Sequence, residues 1–258
     1  MTLADLQSKV KNAKSLDFGN IFSESIELFK KSWLQGFLMQ LFVMILMLPF
    51  IFIIYVPFIM MIVSQSENGQ MDPNAFGTFM AGFSVVYIIL FMIGILAIGV
   101  ISVALNAGLF RILRDLDAGK TVKTSDLFYY LKGKYIGKLL LIMLVSILIA
   151  IPSALLCYIP LIYTIVPMSF FTIVFAFNPE FSVGDIVSAS FKVGTKKWGI
   201  AFGLIIVSSI LASLVGMLLC GIGTLITAAF VYHPVYFIYK HVIGFENDSE
   251  INEIGTNS

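Results

Sequence analysis

The sequence predicts an all-α, polytopic membrane bundle of about six transmembrane helices with amphipathic helices on its basic side. Three observations carry that prediction: the composition, the length of the apolar runs and the placement of the basic residues. Hydrophobic residues make up 59% of the 258 positions, charged residues only 12%, and the mean hydropathy is +0.98. Soluble domains hold roughly 45–50% apolar and about 25% charged residues. The interior of a soluble domain this size could not hide the excess, whereas lipid can. A net charge of +1 argues against a nucleic-acid partner, because such proteins concentrate basic charge in patches.

Residues 1–33 form a polar, amphipathic segment with Lys9, Lys11 and Lys14 well ahead of the first apolar run. A cleaved signal would carry its short apolar core nearer the start, so the first hydrophobic helix is expected to act as an uncleaved insertion signal. One membrane domain follows over 34–240. A crossing needs about 20 mostly apolar residues, and 34–63 and 78–110 each suffice. Pro49 and Pro57 are expected to kink the first, and Ser64–Gly77 between the two reads as a loop. The run 136–178 is too long for one crossing. Pro152, Cys157 and Pro160 mark a reversal that divides it into 136–157 and 158–178. Residues 199–219 and 221–240 form the last pair, turning at Cys220–Gly223. The turns of the middle and last pairs hold no charge, so each pair is either two full crossings or a re-entrant hairpin. The polar tail 241–258 is expected to be disordered.

Orientation follows from charge. All 16 Lys and Arg residues fall in the segments before the first span, between the second and third, between the fourth and fifth, or at the far end of the sixth. The three opposite turns hold none. The positive-inside rule therefore places both termini in the cytoplasm.

An internal repeat is expected as well. A shift of 165 residues superimposes Gly19 on Gly184, Ile21 on Ile186, Ser23 on Ser188 and Ser25 on Ser190. It also superimposes Lys31 on Lys196, Trp33 on Trp198 and Phe37 on Phe202, and it pairs the chain's only two tryptophans. Each copy reads as an amphipathic helix leading into a hairpin, with Ile21, Ser25, Phe29 and Trp33 on one face of the first. Lys30, Lys31, Trp33, Lys196, Lys197 and Trp198 are the candidate membrane-interface residues. Trp favours the headgroup level, and Lys can lay its alkyl stem on lipid with its ammonium in water. A weaker third copy is expected to begin at Ser125 as N-cap.

Chemistry-bearing residues are sparse in the spans. None of the 15 Asp and Glu residues lies inside one, and among cations only Lys138 and Lys240 come near, both close to span ends. Ion paths and proton relays use such groups, so their absence argues against a proton-coupled pump. His233, in Val-Tyr-His-Pro-Val-Tyr, is the intramembrane polar candidate. It either titrates or binds a ligand, or stays neutral and bonds to a neighbouring helix; the second is the commoner case. Two histidines without an intramembrane carboxylate make no ordinary metal site, and no cofactor is expected. Cys157 and Cys220 map to the opposite turns and could pair in an oxidising compartment, although free cysteines are commoner. Asp115 and Asp117, followed by Gly119, read as a helix end rather than a metal loop. Gly199-x-x-x-Gly203 has the spacing of a close helix contact.

The segment Ala107-Gly-Leu-Phe-Arg-Ile-Leu, then Gly119-Lys and Ser125-Asp-Leu-Phe-Tyr-Tyr-Leu-Lys, resembles the central loop of a group of bacterial multi-pass inner-membrane proteins of uncharacterised function. Ile159-Pro-Leu-Ile-Tyr, Phe170-Phe and Ile186-Val-Ser-Ala-Ser-Phe-Lys with Trp198 are similar to their second half. That group is related to the membrane domain of some glycerophosphodiester phosphodiesterases. The resemblance implies a six-helix inner-membrane protein and brings no catalytic residues. Relatives are sometimes labelled carotene monooxygenases, an activity resting on a four-histidine iron site that two histidines cannot build.

The expected role is a non-enzymatic membrane protein that organises anionic lipids or partner proteins, a second copy of itself included, at the cytoplasmic face. The alternative is a passive transporter or flippase-like carrier of a lipid or small solute. A lipid-modifying enzyme ranks last, because no nucleophile, acid–base pair or metal set is legible.

Overall fold

The computed structural model describes residues 1–67, 74, 77, 85–156, 158–219 and 221–245. Its elements are α1 (Leu3–Asn12), α2 (Phe18–Glu67), α3 (Val85–Asp117), a 3-10 helix (Thr124–Leu131), α4 (Gly133–Leu155), α5 (Ile159–Ser169) and α6 (Phe171–Phe177). There follow α7 (Val183–Lys196), α8 (Trp198–Leu218), α9 (Gly223–Thr227), a second 3-10 helix (Ala228–Val231) and α10 (Tyr232–Val242). No strand occurs among the described residues.

Five stretches are long and apolar enough to cross a membrane: Phe18–Ile53, Tyr87–Asp117, Gly133–Leu155, Ile159–Phe177 and Trp198–Leu218. Leu148, Leu155, Met217 and Leu218 present most of their surface outward. Such faces would be costly in water and cost nothing in hydrocarbon. The chain is an all-α polytopic membrane protein.

The sixth expected span, 221–240, is not a single helix. Pro234 has no N–H to offer the carbonyl of Phe230, and its ring crowds that carbonyl. The chain tightens to a 3-10 turn over Ala228–Val231 just ahead of it, leaving α9 and α10 on either side. The junction residues keep right-handed helical dihedrals, with φ −57° and ψ −33° at Ala228 and φ −59° and ψ −25° at Val231, so the path stays helical. Nor does the second half of this segment face outward as the other spans do. His233, Pro234, Val235, Tyr236, Phe237, Ile238, Tyr239 and Val242 are all buried. A helix buried on every side is a core element.

The chain divides into two compact units, Met1–Gln40 with Val103–Ser258, and Leu41–Ser102. In the smaller unit the Phe50 ring lies 5.7 Å from Phe91 and fills the space beside Gly94, where a Cβ would come within 2.3 Å of it. The Tyr87 hydroxyl donates to the Ile53 carbonyl at 3.3 Å. α2 passes through both Pro49 and Pro57 without ending.

In the larger unit, α10 is deeply buried. Phe230, just before it, meets Phe29 and Phe22 of α2 edge-on at 5.3 and 6.1 Å. Two further sequence expectations are corrected in this unit. The leading helix of the first copy is not separate from its span, because α2 runs unbroken from Phe18 past Trp33. In the second copy the helix does break, at Lys197 with φ −114° and ψ 23°. The segment expected to open a third copy at Ser125 is a 3-10 helix capped from Lys123: the Asp126 carboxylate accepts the Lys123 N–H at 2.8 Å and fixes the first turn.

Candidate functional site

The basic ends of the larger unit's helices are tied together by polar bonds that link distant parts of the chain. Lys197 donates to the carbonyls of Ala13 and Lys14 at 3.3 and 2.5 Å, in the loop that leads into α2. Lys138, one turn inside α4, donates to Pro179 and Phe181 at 2.6 and 2.8 Å, in the loop that leads into α7. Lys240 of α10 and the Tyr236 hydroxyl both reach Asp117 at the end of α3, at 2.6 and 2.7 Å. His241 meets Glu24 at 2.7 Å. Asp117 and Asp115 belong to a helix end: Gly119 takes φ +71°, and the Lys120 and Gly119 N–H groups return to Asp115 and Leu116 at 2.8 and 3.1 Å. Only glycine adopts that φ without strain.

The two segments related by the 165-residue shift have matching caps and buried positions. At the positions related by the 165-residue shift, Asp17 caps α2 by accepting the Asn20 N–H at 2.7 Å, and Ser182 caps α7 by accepting the Asp185 N–H at 3.1 Å. Ile21, Ser25, Leu28 and Ser32 are buried in one helix, and Ile186, Ser190, Val193 and Lys197 at the equivalent positions. Lys138 stands in the same register to Lys123 as Lys197 does to Ser182 and Ser32 to Asp17. Both lysines thus bond to a loop ahead of another helix, Lys197 to that before α2 and Lys138 to that before α7.

The six candidate interface residues divide accordingly. Lys31 and Lys196 are exposed, Lys30 pairs with Glu27 at 2.6 Å on the surface, and Trp33 is 45% exposed. Trp198 donates its indole N–H to Tyr163 at 3.1 Å and stacks on Phe202 at 4.7 Å. Lys197 departs from the expectation: it is only 9% exposed and points inward to carbonyls, so it does not snorkel to lipid. Gly199 has open space beside it, so the Gly199-x-x-x-Gly203 spacing makes no close contact there.

His233 is buried, with Nδ1 3.1 Å from the Ala229 carbonyl and Nε2 2.7 Å from the Ser32 hydroxyl. A carbonyl can only accept, so Nδ1 carries the proton. The neutral ring then accepts from Ser32 at Nε2. Phe29 and Phe230 flank it at 5.4 and 5.9 Å. Both ring nitrogens are engaged, which leaves neither for a ligand. Cys157 and Cys220 lie outside the described residues, as does the tail from residue 246.

A site not singled out by the sequence lies at the end of α3. Gly108 lets the 3-10 helix approach so closely that a Cβ there would fall 2.2 Å from the Leu127 carbonyl oxygen. That approach brings Tyr129 and Tyr130 over Arg111. The Arg111 guanidinium carbon lies 3.8 Å from the Tyr129 ring centre, Lys132 sits 4.4 Å from the same ring, and Lys134 4.7 Å from that of Tyr135. The three tyrosine rings pack at 4.9, 5.2 and 6.2 Å, and the buried Tyr130 hydroxyl donates to the Ala176 carbonyl. Between them opens a recess of about 300 Å³ lined by Arg111, Arg114, Tyr129, Tyr130 and Tyr135 and walled by Ala176, Phe177 and Pro179. A second recess of about 470 Å³ adjoins it, sharing Arg114 and Phe177 and reaching Asn178, Tyr239 and Lys240.

The two neighbouring tyrosines titrate apart. Hydrogen bonding with Arg111, then with Tyr135, holds the Tyr129 hydroxyl below its ordinary range, while burial pushes Tyr130 up to about 12. The phenolate absorbance lost in Tyr129→Phe is therefore expected below pH ~10, and that lost in Tyr130→Phe well above it. Superimposable difference titrations would refute the assignment.

No family model, curated protein or solved structure matches this chain.

Proposed function

We propose that this chain is a multi-pass protein of the bacterial cytoplasmic membrane, of the group its sequence resembles, with both termini in the cytoplasm. It has no enzymatic activity of its own and organises anionic lipids or partner proteins at that face. The observation that carries the reading is the convergence of basic helix ends. The bonds from Lys197, Lys138, Lys240 and His241 gather the starts of α2, α4 and α8 and the ends of α3, α6 and α10 at one end of the larger unit. The other basic residues lie at those ends, in the loops beside them, or within α1, the first third of α2 and α7. A cationic face at the headgroup level attracts anionic leaflets, at about 1 kcal/mol per Lys or Arg. The matching caps and buried positions of α2 and α7 support an origin by duplication, with the 3-10 helix leading a third, degenerate copy.

The test uses lysines on the surface. In nanodiscs made from a mixture of phosphatidylglycerol and phosphatidylcholine, the wild-type protein is expected to enrich phosphatidylglycerol in its retained shell. The triple variant Lys30→Gln, Lys31→Gln, Lys196→Gln should lose at least half of that enrichment. An unchanged shell composition would remove the support for a lipid-organising face.

A further inference from the structure

We propose that the recess between Arg111, Arg114 and the three tyrosines is a specific binding site for a phosphate group. The inference rests on the reading of this end as an anion-facing surface and assigns that surface a built site.

The first argument is an excess of positive charge. Two guanidinium groups from the last turns of α3 line the recess, and no carboxylate is among its lining side chains. Arg111 is held by the Tyr129 ring at 3.8 Å. A ring face fixes a cation in place and leaves its charge unneutralised. Arg114 gives one nitrogen to Asp115 at 3.2 Å, but a guanidinium carries five N–H donors in a planar fork. Lys132 and Lys134, each over a tyrosine ring, add positive potential at the rim.

The second argument is rigidity. Each wall is fixed by a contact that the fold has already made. Gly108 seats the 3-10 helix on α3, the Tyr130 hydroxyl ties that helix to Ala176, and Lys138 holds the Pro179 carbonyl that closes the far side. A preorganised pair of arginine forks suits the bidentate, planar recognition of phosphate oxygens better than lysines do. The volume of about 300 Å³ lies at the lower end of ligand pockets, roughly 300–1,000 Å³, and fits a phosphate with a short attached group.

That phosphate could belong to a lipid headgroup or to a small soluble ester, and the experiment separates the two. The full chain is placed in nanodiscs of pure phosphatidylcholine and titrated with inorganic phosphate, following line broadening of the ³¹P resonance. In a second arm the discs contain phosphatidic acid as the probe lipid. Saturable, salt-sensitive binding is expected in at least one arm, falling at least tenfold in Arg111→Gln/Arg114→Gln. The single Arg114→Lys, which keeps the charge and loses the fork, should weaken it severalfold and serves if the double variant does not fold. Binding of free phosphate would mark a soluble ligand, and binding only of phosphatidic acid a headgroup. The Lys30→Gln, Lys31→Gln, Lys196→Gln variant should keep the affinity, so loss of shell enrichment there and loss of phosphate binding here are independent results. No binding in either arm, or binding that neither arginine variant weakens, would overturn the proposal.

Discussion

Gly108→Ala is expected to destabilise the protein by about 1–3 kcal/mol, the usual cost of forcing extra volume into a packed contact. The added Cβ would stand 2.2 Å from the Leu127 carbonyl oxygen and 2.8 Å from its carbonyl carbon. Those are backbone atoms, so no side-chain rotation relieves the clash, and the 3-10 helix must move off α3. Because that helix carries Tyr129 and Tyr130, the same substitution should also loosen the recess and weaken phosphate binding. Gly137 is the control. It lies in α4, where an added methyl would meet nothing within 4 Å, and alanine is the better helix former by about 1 kcal/mol. Gly137→Ala should leave thermal unfolding in detergent unchanged or raise its midpoint, while Gly108→Ala lowers it. Equal midpoints for the two variants would mean that the close approach at Gly108 carries no weight.

The membrane class was legible from composition because lipid and water impose opposite demands on helix surfaces, and five of the six expected spans match apolar helices. The sixth shows where composition stops. Residues 221–240 are apolar enough to be read as a span, yet α10 is surrounded by protein. Hydropathy cannot separate a helix bathed in lipid from one wrapped by other helices. Pro234 was the one warning that the segment would not be a regular helix throughout.

The site was less legible. Arg114 counted only as a positive-inside charge, and Arg111, Tyr129 and Tyr130 otherwise only as parts of the motifs that carry the resemblance. What joins them is Gly108, a single glycine in an apolar helix whose partner lies on another element. Nor did the sequence distinguish Lys197 from Lys196: the two are adjacent, but the helix breaks at Lys197, which turns its side chain to the loop at Ala13–Lys14 while Lys196 stays exposed. A lysine one turn inside a span, as Lys138 is, was the stronger hint, because a cation at that depth requires a partner.

The clasps give the other large effect. Lys197→Met and Lys138→Met each retain the apolar stem and remove the ammonium that bonds two carbonyls. Hydrogen bonds to a charged group contribute about 1.5–3 kcal/mol, and each variant should lose about that much stability. Lys196→Met, at an exposed neighbour, should change it by no more than about 0.5 kcal/mol. Location distinguishes the clasp from general packing. If each lysine grips the loop ahead of another copy's helix, Lys197→Met should raise amide exchange at the start of α2, around residues 18–21, and leave α7 protected. Lys138→Met should do the reverse, exposing the start of α7 around 183–186 and sparing α2. The caps at Asp17 and Ser182 make these ends sensitive reporters, since their first N–H groups depend on a correctly placed loop. A uniform rise in exchange for both variants would show the lysines to be general core contacts. Crossed, local losses would mark them as equivalent joints between copies, the physical link by which a duplicated leading helix is held to its neighbour.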